Sequence, residues 1–201
     1  MLARFARETG GIYYQATRRT EADQLAALTR IIGEHFSDDA LAENASFPSW
    51  EGLLRYVIRR ANRELLVIVI DEFPYLAGAV PALPSIIQSA WDHEWQNTKL
   101  KVVLSGSYVS AMRRLEDADQ PLYGRRTARL TFSPFTYRNV ARFVPDYEVR
   151  DQLRAFGIFG GLPGNLTLLD PAEALEANVG RLVSAQRMAL ASSANQAIGQ
   201  G

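Results

Sequence analysis

Residues 65–76 of this chain read LLVIVIDEFPYL, and this stretch decides the fold. Six consecutive apolar residues, four of them β-branched, end abruptly at the adjacent carboxylates Asp71 and Glu72. A short β-branched run is typical of a strand buried on both faces, as in a parallel sheet between helices. Because Pro74 does not allow the strand to continue simply, both carboxylates are predicted at its carboxyl end. In open α/β sheets that edge is where ligands bind.

The two carboxylates suggest a chemistry as well as a place. Asp71 would lie near a magnesium ion, and Glu72 would polarise a water molecule that attacks a nucleotide phosphate. The same residues also fit a simpler interpretation, in which a strand happens to end in a charged turn.

Composition excludes several classes of protein. The chain has 201 residues, 47% of them hydrophobic, which is enough for an α/β domain with a sizeable core. Lysine plus arginine equals aspartate plus glutamate at 22 each, so net charge gives no general case for binding nucleic acid. There is no cysteine, which excludes disulfides and thiolate metal sites and fits a cytoplasmic location. No apolar run approaches the roughly 20 residues that a membrane span needs, and the start lacks the apolar core of a signal peptide.

The order of elements predicts an α/β fold with a mostly parallel sheet. Strands alternate with helices up to about residue 134, and the remainder is helical with an unstructured end at Gln196–Gly201. We therefore expect an α/β core over 1–134 and a small helical region over 135–201. The predicted segments are a helix over Met1–Glu8, a strand over Ile12–Ala16, a helix capped by Thr20, a polar connection over Ser37–Phe47, a helix over Trp50–Arg63 capped by Ser49, a loop over Pro81–Pro84, a helix capped by Ser85, a strand over Lys99–Leu104, a short helix over Tyr108–Leu115 and a strand over Ala128–Phe132.

Two serines follow the strand that should neighbour the Asp71 strand. Consecutive strand–helix–strand units wind right-handed, so Ser105 and Ser107 are predicted at the same sheet edge as Asp71. A hydroxyl there can orient a water molecule or contact a terminal phosphate. Alternatively, Ser107 only caps the helix that follows it.

Arg125 and Arg126 follow a glycine in a loop. A guanidinium is planar and always charged, which suits the phosphate charge of a transition state. The alternative is a solvated basic turn that pairs with the acidic loop at Glu116, Asp117 and Asp119.

Other polar and aromatic residues suggest no further site. His35 and His93 do not form a metal-ligand pattern, and we expect no metal cluster around them. The aromatic residues near Tyr13, Tyr14 and Phe135 are interpreted as core rather than as a platform for stacking bases.

Several stretches together resemble one family. They are Ile12–Arg18, Asp71–Leu76, Leu104–Ser107, Pro121–Arg125 and Gly160–Pro163. In this order and spacing they resemble the archaeal and bacterial ATPases of the AAA-like P-loop superfamily, over roughly residues 1–180.

The resemblance implies a role for each matching residue. Asp71 would be the Walker B aspartate, associated with magnesium through water, and Glu72 the catalytic glutamate. Ser105 and Ser107 would lie in sensor 1, with Ser107 the better candidate for its role. The loop of Arg125 and Arg126 would match a region with arginine-finger-like roles, and Gly160–Pro163 would lie in a helical lid. ATP and magnesium would be the cofactors.

The sequence departs from this family at the phosphate site. The motif Gly-x-x-x-x-Gly-Lys-Ser/Thr does not occur in it, and the only lysines are Lys99 and Lys101. The strand that feeds the phosphate loop is missing with the motif. The sequence therefore looks like a fragment, a mispredicted gene start or a degenerate copy of an ATP-hydrolysing ATPase. We expect the chain not to bind ATP alone and to expose a sheet edge prone to self-association. The alternative is a non-catalytic regulatory or interaction domain derived from such an ATPase and possibly associated with DNA.

Overall fold

A computed structural model describes residues 1–43 and 46–184. The chain forms two compact units, one covering Met1–Arg129 and one that begins at Leu130. Within the described residues, no helix is both long enough and apolar enough to cross a membrane.

The first unit is built on a parallel sheet. Strands β1 (Ile12–Gln15), β2 (Leu66–Asp71) and β3 (Leu100–Leu104) lie in the order β1-β2-β3 in the described part of the chain. Both pairings are parallel, and Val69 of β2 lies opposite Tyr13 of β1 and Val103 of β3. This confirms the α/β fold and the prediction that the Asp71 strand and the Lys99–Leu104 segment are parallel neighbours.

Helices cover both faces of the sheet, which explains why β2 is apolar throughout. Leu66, Ile68 and Ile70 belong to the main core, whereas Val67 and Val69 pack with Ala6 on the opposite face. Each of these β2 side chains is at most 8% exposed. Full burial of one such side chain stabilises a fold by about 1.5–3 kcal/mol. The helices of this unit are α1 (Leu2–Glu8), α2 (Glu21–Phe36), α3 (Asp39–Glu43), α4 (Trp50–Ala61), α5 (Phe73–Ala79), α6 (Leu83–Ala90) and α7 (Val109–Arg114), with a π-helical turn at Trp91–Trp95.

Two predicted helix caps are confirmed. The Thr20 hydroxyl accepts a hydrogen bond from the backbone N–H of Asp23, and the Ser49 hydroxyl accepts one from Gly52. Each side chain satisfies a backbone donor that has no partner within its own helix.

Other local predictions in the first unit were wrong. The predicted Ser37–Phe47 connection contains the short helix α3. Ser85 does not cap α6, because α6 already begins at Leu83 with Pro84 in its first turn. Proline is favoured at this position, since its fixed φ suits a helix and its missing N–H would have no partner there.

The strand predicted over Ala128–Phe132 was also wrong. Residues 128–136 have no regular secondary structure. Its apolar residues alternate as in a half-buried strand, but Leu130 and Phe132 are 82% and 68% exposed. A segment of alternating apolar and polar residues forms a strand only where a neighbouring strand and a hydrophobic core are available to it.

The second unit has a small core of its own. Its helices are α8 (Tyr137–Val140), α9 (Val149–Phe159) and α10 (Pro163–Leu166), and residues 175–184 are also helical. Val140, Val144, Ala155 and Leu166 form the centre of this core, each 0% exposed. The predicted unstructured end at Gln196–Gly201 lies outside the described residues.

A buried asparagine and a close backbone contact fix the second unit. Asn178 is 0% exposed and donates to the Tyr147 hydroxyl and the Asp170 carbonyl, at 3.0 and 2.8 Å. The Phe135 N–H donates to the Gly161 carbonyl at 2.7 Å, and a Cβ on Gly161 would lie 2.0 Å from the Phe135 carbonyl oxygen. Only glycine allows so close an approach.

Candidate active site at the carboxyl edge of the sheet

Three polar side chains form a row across the three strands. The register places Tyr13 opposite Val69 and Val69 opposite Val103, and Asp71 and Ser105 follow two residues after these valines. Side chains two residues apart share a face of a sheet. Tyr13, Asp71 and Ser105 therefore lie on one face, with Asp71 and Ser105 at the carboxyl edge predicted for a ligand and Tyr13 one repeat before it on β1.

The Asp71 carboxylate is at the centre of this row. The Tyr13 hydroxyl donates to its Oδ2 at 2.7 Å, and the Ser105 hydroxyl donates to its Oδ1. The backbone N–H of Glu72 also donates to Oδ1, at 3.1 Å. Both oxygens of Asp71 are therefore held by the protein, and the orientation of the carboxylate is fixed.

Glu72 has an unusual backbone conformation. Its φ of 54° and ψ of 40° lie in the left-handed region, which is uncommon for a residue other than glycine. Its neighbours fix this turn, since the Asp71 carbonyl accepts from Ala16 and the Phe73 N–H donates to the Ser105 carbonyl at 2.8 Å. Left-handed backbone costs roughly 1–2 kcal/mol for an L-residue, and such strain concentrates at functional sites.

Ser107 contacts Glu72 and does not cap the next helix. Its hydroxyl donates to Glu72 Oε1, and its backbone N–H lies 3.4 Å from Glu72 Oε2. Helix α7 begins at Val109, and its N-cap residue Tyr108 makes no side-chain cap hydrogen bond. The alternative interpretation of Ser107 as a cap was therefore wrong. The two serines have separate partners, Ser105 on Asp71 and Ser107 on Glu72.

Gly106 allows the two turns to pack against each other. A Cβ built on Gly106 would lie 2.9 Å from Cδ of Pro74 and 3.1 Å from Sδ of Met112. A proline ring cannot rotate away, so a side chain at this position would push apart the turns that carry the carboxylates and the serines.

Tyr13 is the site residue that sequence reasoning missed. The sequence interpretation assigned both tyrosines to the core, yet only Tyr14 is buried, with its hydroxyl donating to Gln24. Burial, together with the hydrogen bond to Asp71, raises the pKa of Tyr13 from 10.0 to about 12. Strand alternation was the available signal, since it places Tyr13 and Tyr14 on opposite faces.

The structure does not bring the two arginines to the carboxylates. Arg125 donates to both carboxylate oxygens of Asp92, at 3.0 and 2.7 Å, and this hydrogen bonding lowers the pKa of Asp92. Arg126 pairs with Glu116, as the basic-turn alternative predicted. Among the described residues, neither arginine forms an ion pair with Asp71 or Glu72.

The donor set at the sheet edge fits magnesium only as a partial ligand set. It consists of carboxylate and hydroxyl oxygens, the donors that Mg²⁺ prefers. The described residues contain no group of three or more histidine, cysteine, aspartate or glutamate side chains that could hold a metal. Magnesium usually keeps several waters and binds one or two carboxylates together with substrate phosphates. Asp71 and Glu72 fit that arrangement.

Comparison with known proteins shows the family of the chain. The sequence profile of an ATPase domain found predominantly in Archaea matches residues 3–169. The chain belongs to this ATPase family. The family assignment confirms the resemblance drawn from the sequence motifs and implies a nucleotide as the substrate of the family.

Two further proteins are similar to this chain. An uncharacterised protein of Methanocaldococcus jannaschii, MJECL04, is 33% identical over 98 residues, which is 48% of this chain and 22% of that protein. The match therefore spans about a fifth of that relative's length. The structure of the Walker-type ATPase PABY2304 of Pyrococcus abyssi superposes with a TM-score of 0.67 at 17% identity, covering 100% of this chain and 67% of that chain. This second likeness shows a shared fold.

Proposed function

We propose that this chain carries the part of an ATP hydrolysis site that handles magnesium and the attacking water. The observation that supports this most directly is the paired arrangement at the sheet edge, in which Ser105 binds Asp71 and Ser107 binds Glu72. In this proposal Asp71 is the Walker B aspartate, Glu72 the catalytic glutamate and Ser107 the main sensor 1 residue.

The arrangement gives each carboxylate a different task. Asp71 accepts three hydrogen bonds and keeps one orientation, so it is suited to hold a water molecule of a hydrated magnesium ion. When bound, that ion would neutralise charge on the nucleotide phosphates. Glu72 lies beside it on a strained turn and accepts from the hydroxyl of Ser107, which is exposed. Glu72 would accept the proton of the attacking water.

Arg125 and Arg126 remain candidates for stabilising transferred phosphate charge, but in this structure both are engaged elsewhere. Arg125 is held by Asp92 and by the carbonyls of Pro121 and Tyr123. An arginine-finger role would require this bidentate pair to open. We therefore consider both arginines weaker candidates for site residues than the two carboxylates and the two serines.

Phosphate binding needs groups that this sequence does not contain. In P-loop proteins, backbone amides at a helix N-terminus and one lysine hold the phosphates. Lys99 precedes β3 and Lys101 is its second residue, whereas Ser105 follows the other end of that strand. Neither lysine lies near the Asp71 edge. We propose that the chain is a fragment of the hydrolytic unit and requires a phosphate-loop segment to bind ATP. We also propose that it acts in the cytoplasm, where ATP is abundant.

A second candidate function is a non-catalytic interaction domain derived from such an ATPase. The observation that favours it is the position of β3, which pairs only with β2 in the described part of the chain. An unpaired strand edge is a template for another strand. The balanced net charge gives no support for a DNA-associated version of this domain.

The hydrolytic proposal is tested by adding what the sequence lacks. An extended version would carry a strand, phosphate loop and helix from a family member before Met1. We expect it to hydrolyse ATP, and Glu72→Gln to retain ATP binding while turnover falls by about 10²–10⁴-fold, because an amide cannot accept the proton. Asp71→Asn should instead weaken the dependence on magnesium.

The control for this experiment is Glu34→Gln, which removes a carboxylate from the exposed Arg30–Glu34 pair in the last turns of α2. It should leave turnover and magnesium dependence unchanged. Turnover of Glu72→Gln at the rate of the unsubstituted extended protein would contradict the catalytic role. An extended protein that binds ATP without hydrolysing it would favour the interaction domain.

A further inference from the structure

We propose that Tyr13 is a positioning residue that disfavours direct coordination of Asp71 by a divalent cation, so that the cation contacts Asp71 through water. The inference rests on the proposed role of Asp71 at a magnesium site. Tyr13 itself would contact neither the cation nor the nucleotide, and its effect would reach them through the Asp71 carboxylate.

Most lone-pair positions of the Asp71 carboxylate already accept hydrogen bonds from the protein. A carboxylate offers about four lone-pair positions. Ser105 and the Glu72 N–H use two of them on Oδ1, and Tyr13 uses one on Oδ2. The donors among the described residues thus leave a single position on Oδ2, beside the tyrosine hydroxyl. A cation that coordinated Asp71 directly would compete with donors that already share its negative charge.

The Tyr13 ring is not free to move aside. It packs against the small core on the α1 face, whose buried members are Ala6, Val67 and Val69. Its backbone is held by the parallel pairing with β2. The hydroxyl is therefore delivered to Oδ2 by a fixed ring, whereas a surface hydroxyl could rotate to another partner.

Magnesium makes this arrangement effective. Mg²⁺ dehydrates reluctantly and usually keeps several of its waters. A carboxylate that already accepts three hydrogen bonds offers little to replace a lost water, but it can still accept a hydrogen bond from one. The contact through water would follow from the hydrogen bonds that Tyr13 and Ser105 donate to Asp71. The Asp71 side chain would keep its position.

The test measures cation affinity directly, with Mn²⁺ alone as the probe for Mg²⁺. Titration of the 201-residue chain, followed by the electron paramagnetic resonance signal of free Mn²⁺, would compare the unsubstituted protein with Tyr13→Phe. We expect Tyr13→Phe to bind Mn²⁺ about fivefold more tightly, the size that follows from removing one competing hydrogen bond. Pulsed resonance in labelled water should show fewer waters on the bound ion in this variant.

Tyr14→Phe is the matched control. It removes the same hydroxyl from the neighbouring residue, whose partner is Gln24 in the main core, and should leave Mn²⁺ affinity unchanged. A purely structural role for Tyr13 would loosen the site and weaken binding, so the direction of the change separates the two roles. Affinity that is equal or weaker in Tyr13→Phe would overturn the proposal.

Asp71→Asn separates this inference from the proposed function. The gain in Tyr13→Phe should disappear in the double variant Tyr13→Phe, Asp71→Asn, and a gain that persists would overturn the inference. The proposed function fails separately if the extended protein shows the same magnesium dependence with and without Asp71→Asn.

Discussion

Ser107 and Glu72 are joined across the turns that follow β2 and β3, with the Ser107 hydroxyl and backbone N–H both directed at the Glu72 carboxylate. The contact links residues 35 positions apart in sequence and lies on an exposed part of the sheet edge. Glu72 has left-handed backbone, which sets the direction of its side chain. The hydrogen bonds from Ser107 then fix the position of its carboxylate.

We expect Ser107→Ala to lower turnover of the extended protein about tenfold, because Glu72 loses the group that orients it. In the Glu72→Gln background the same change should have little further effect, since residues that act as a unit are not additive. Steady-state kinetics of the single and double variants measure this coupling. Ser110→Ala, an exposed serine of α7, is the control. Independent, additive losses would show that Ser107 does not act through Glu72.

Part of this site was predictable from residue order. The apolar run of β2 and its two carboxylates placed Asp71, Ser105 and Ser107 at one edge, because parallel strands end on the same side. The hydrogen-bond partner of Ser107 was not predictable. Whether Ser107 would cap α7 or bind Glu72 depends on the left-handed turn at Glu72, which brings its carboxylate to the serine.

Other features depend on tertiary contacts that no local pattern contains. The Tyr13 hydroxyl reaches Asp71 only because β1 pairs with β2 in one particular register. The Ala128–Phe132 pattern alternates as a strand does, yet Leu130 is 82% exposed and forms none. The pairing of Arg125 with Asp92 joins residues 33 positions apart.

Gly106→Ala should destabilise the first unit by about 1–3 kcal/mol, because the new methyl group would meet the Pro74 ring. Urea denaturation measures the loss. Gly78→Ala in α5 is the matched control. Its Cβ would meet nothing within 4 Å, and alanine should stabilise the helix by about 0.5–1 kcal/mol. If the two variants had equal stability, the close approach of the turns would be refuted.

The raised pKa of Tyr13 predicts a loss of stability at high pH. The folded state favours the neutral phenol, so its pKa rises from 10.0 to about 12. The stabilisation is complete below the unfolded value of 10.0 and disappears as the pH rises through 12. Tyr13→Phe should remove this part of the pH dependence. Denaturation at successive pH values, with phenolate absorbance as a second reading, checks it. An unchanged alkaline profile in Tyr13→Phe would contradict the part-buried hydrogen bond to Asp71.

We expect the 201-residue chain to show no measurable binding of magnesium-ATP in titration calorimetry. The amides and lysine that hold phosphates in this fold have no counterpart in its sequence. Asp71 and Glu72 would also repel a triphosphate in the absence of a cation. The extended version is the positive control and should bind. Micromolar binding by the chain alone would mean that another segment forms the phosphate site, and the fragment proposal would have to be abandoned.

The edge of β3 that pairs with no strand in the described part of the chain should make the chain self-associate. Val102, Val103 and Leu104 are only half-buried, although such a run is typical of a strand with neighbours on both sides. Lys101 is the one charged residue in the strand that would discourage pairing with a second copy. We expect sedimentation velocity to show association that increases with concentration.

Val103→Lys should reduce this association, because a second charge on the same face of the edge strand opposes close pairing. Val183→Lys, which adds the same charge on an exposed helical position of the second unit, should not. A chain that stays monomeric at the highest concentration reached, or that responds equally to both substitutions, would show that the β3 edge is not the surface through which copies meet.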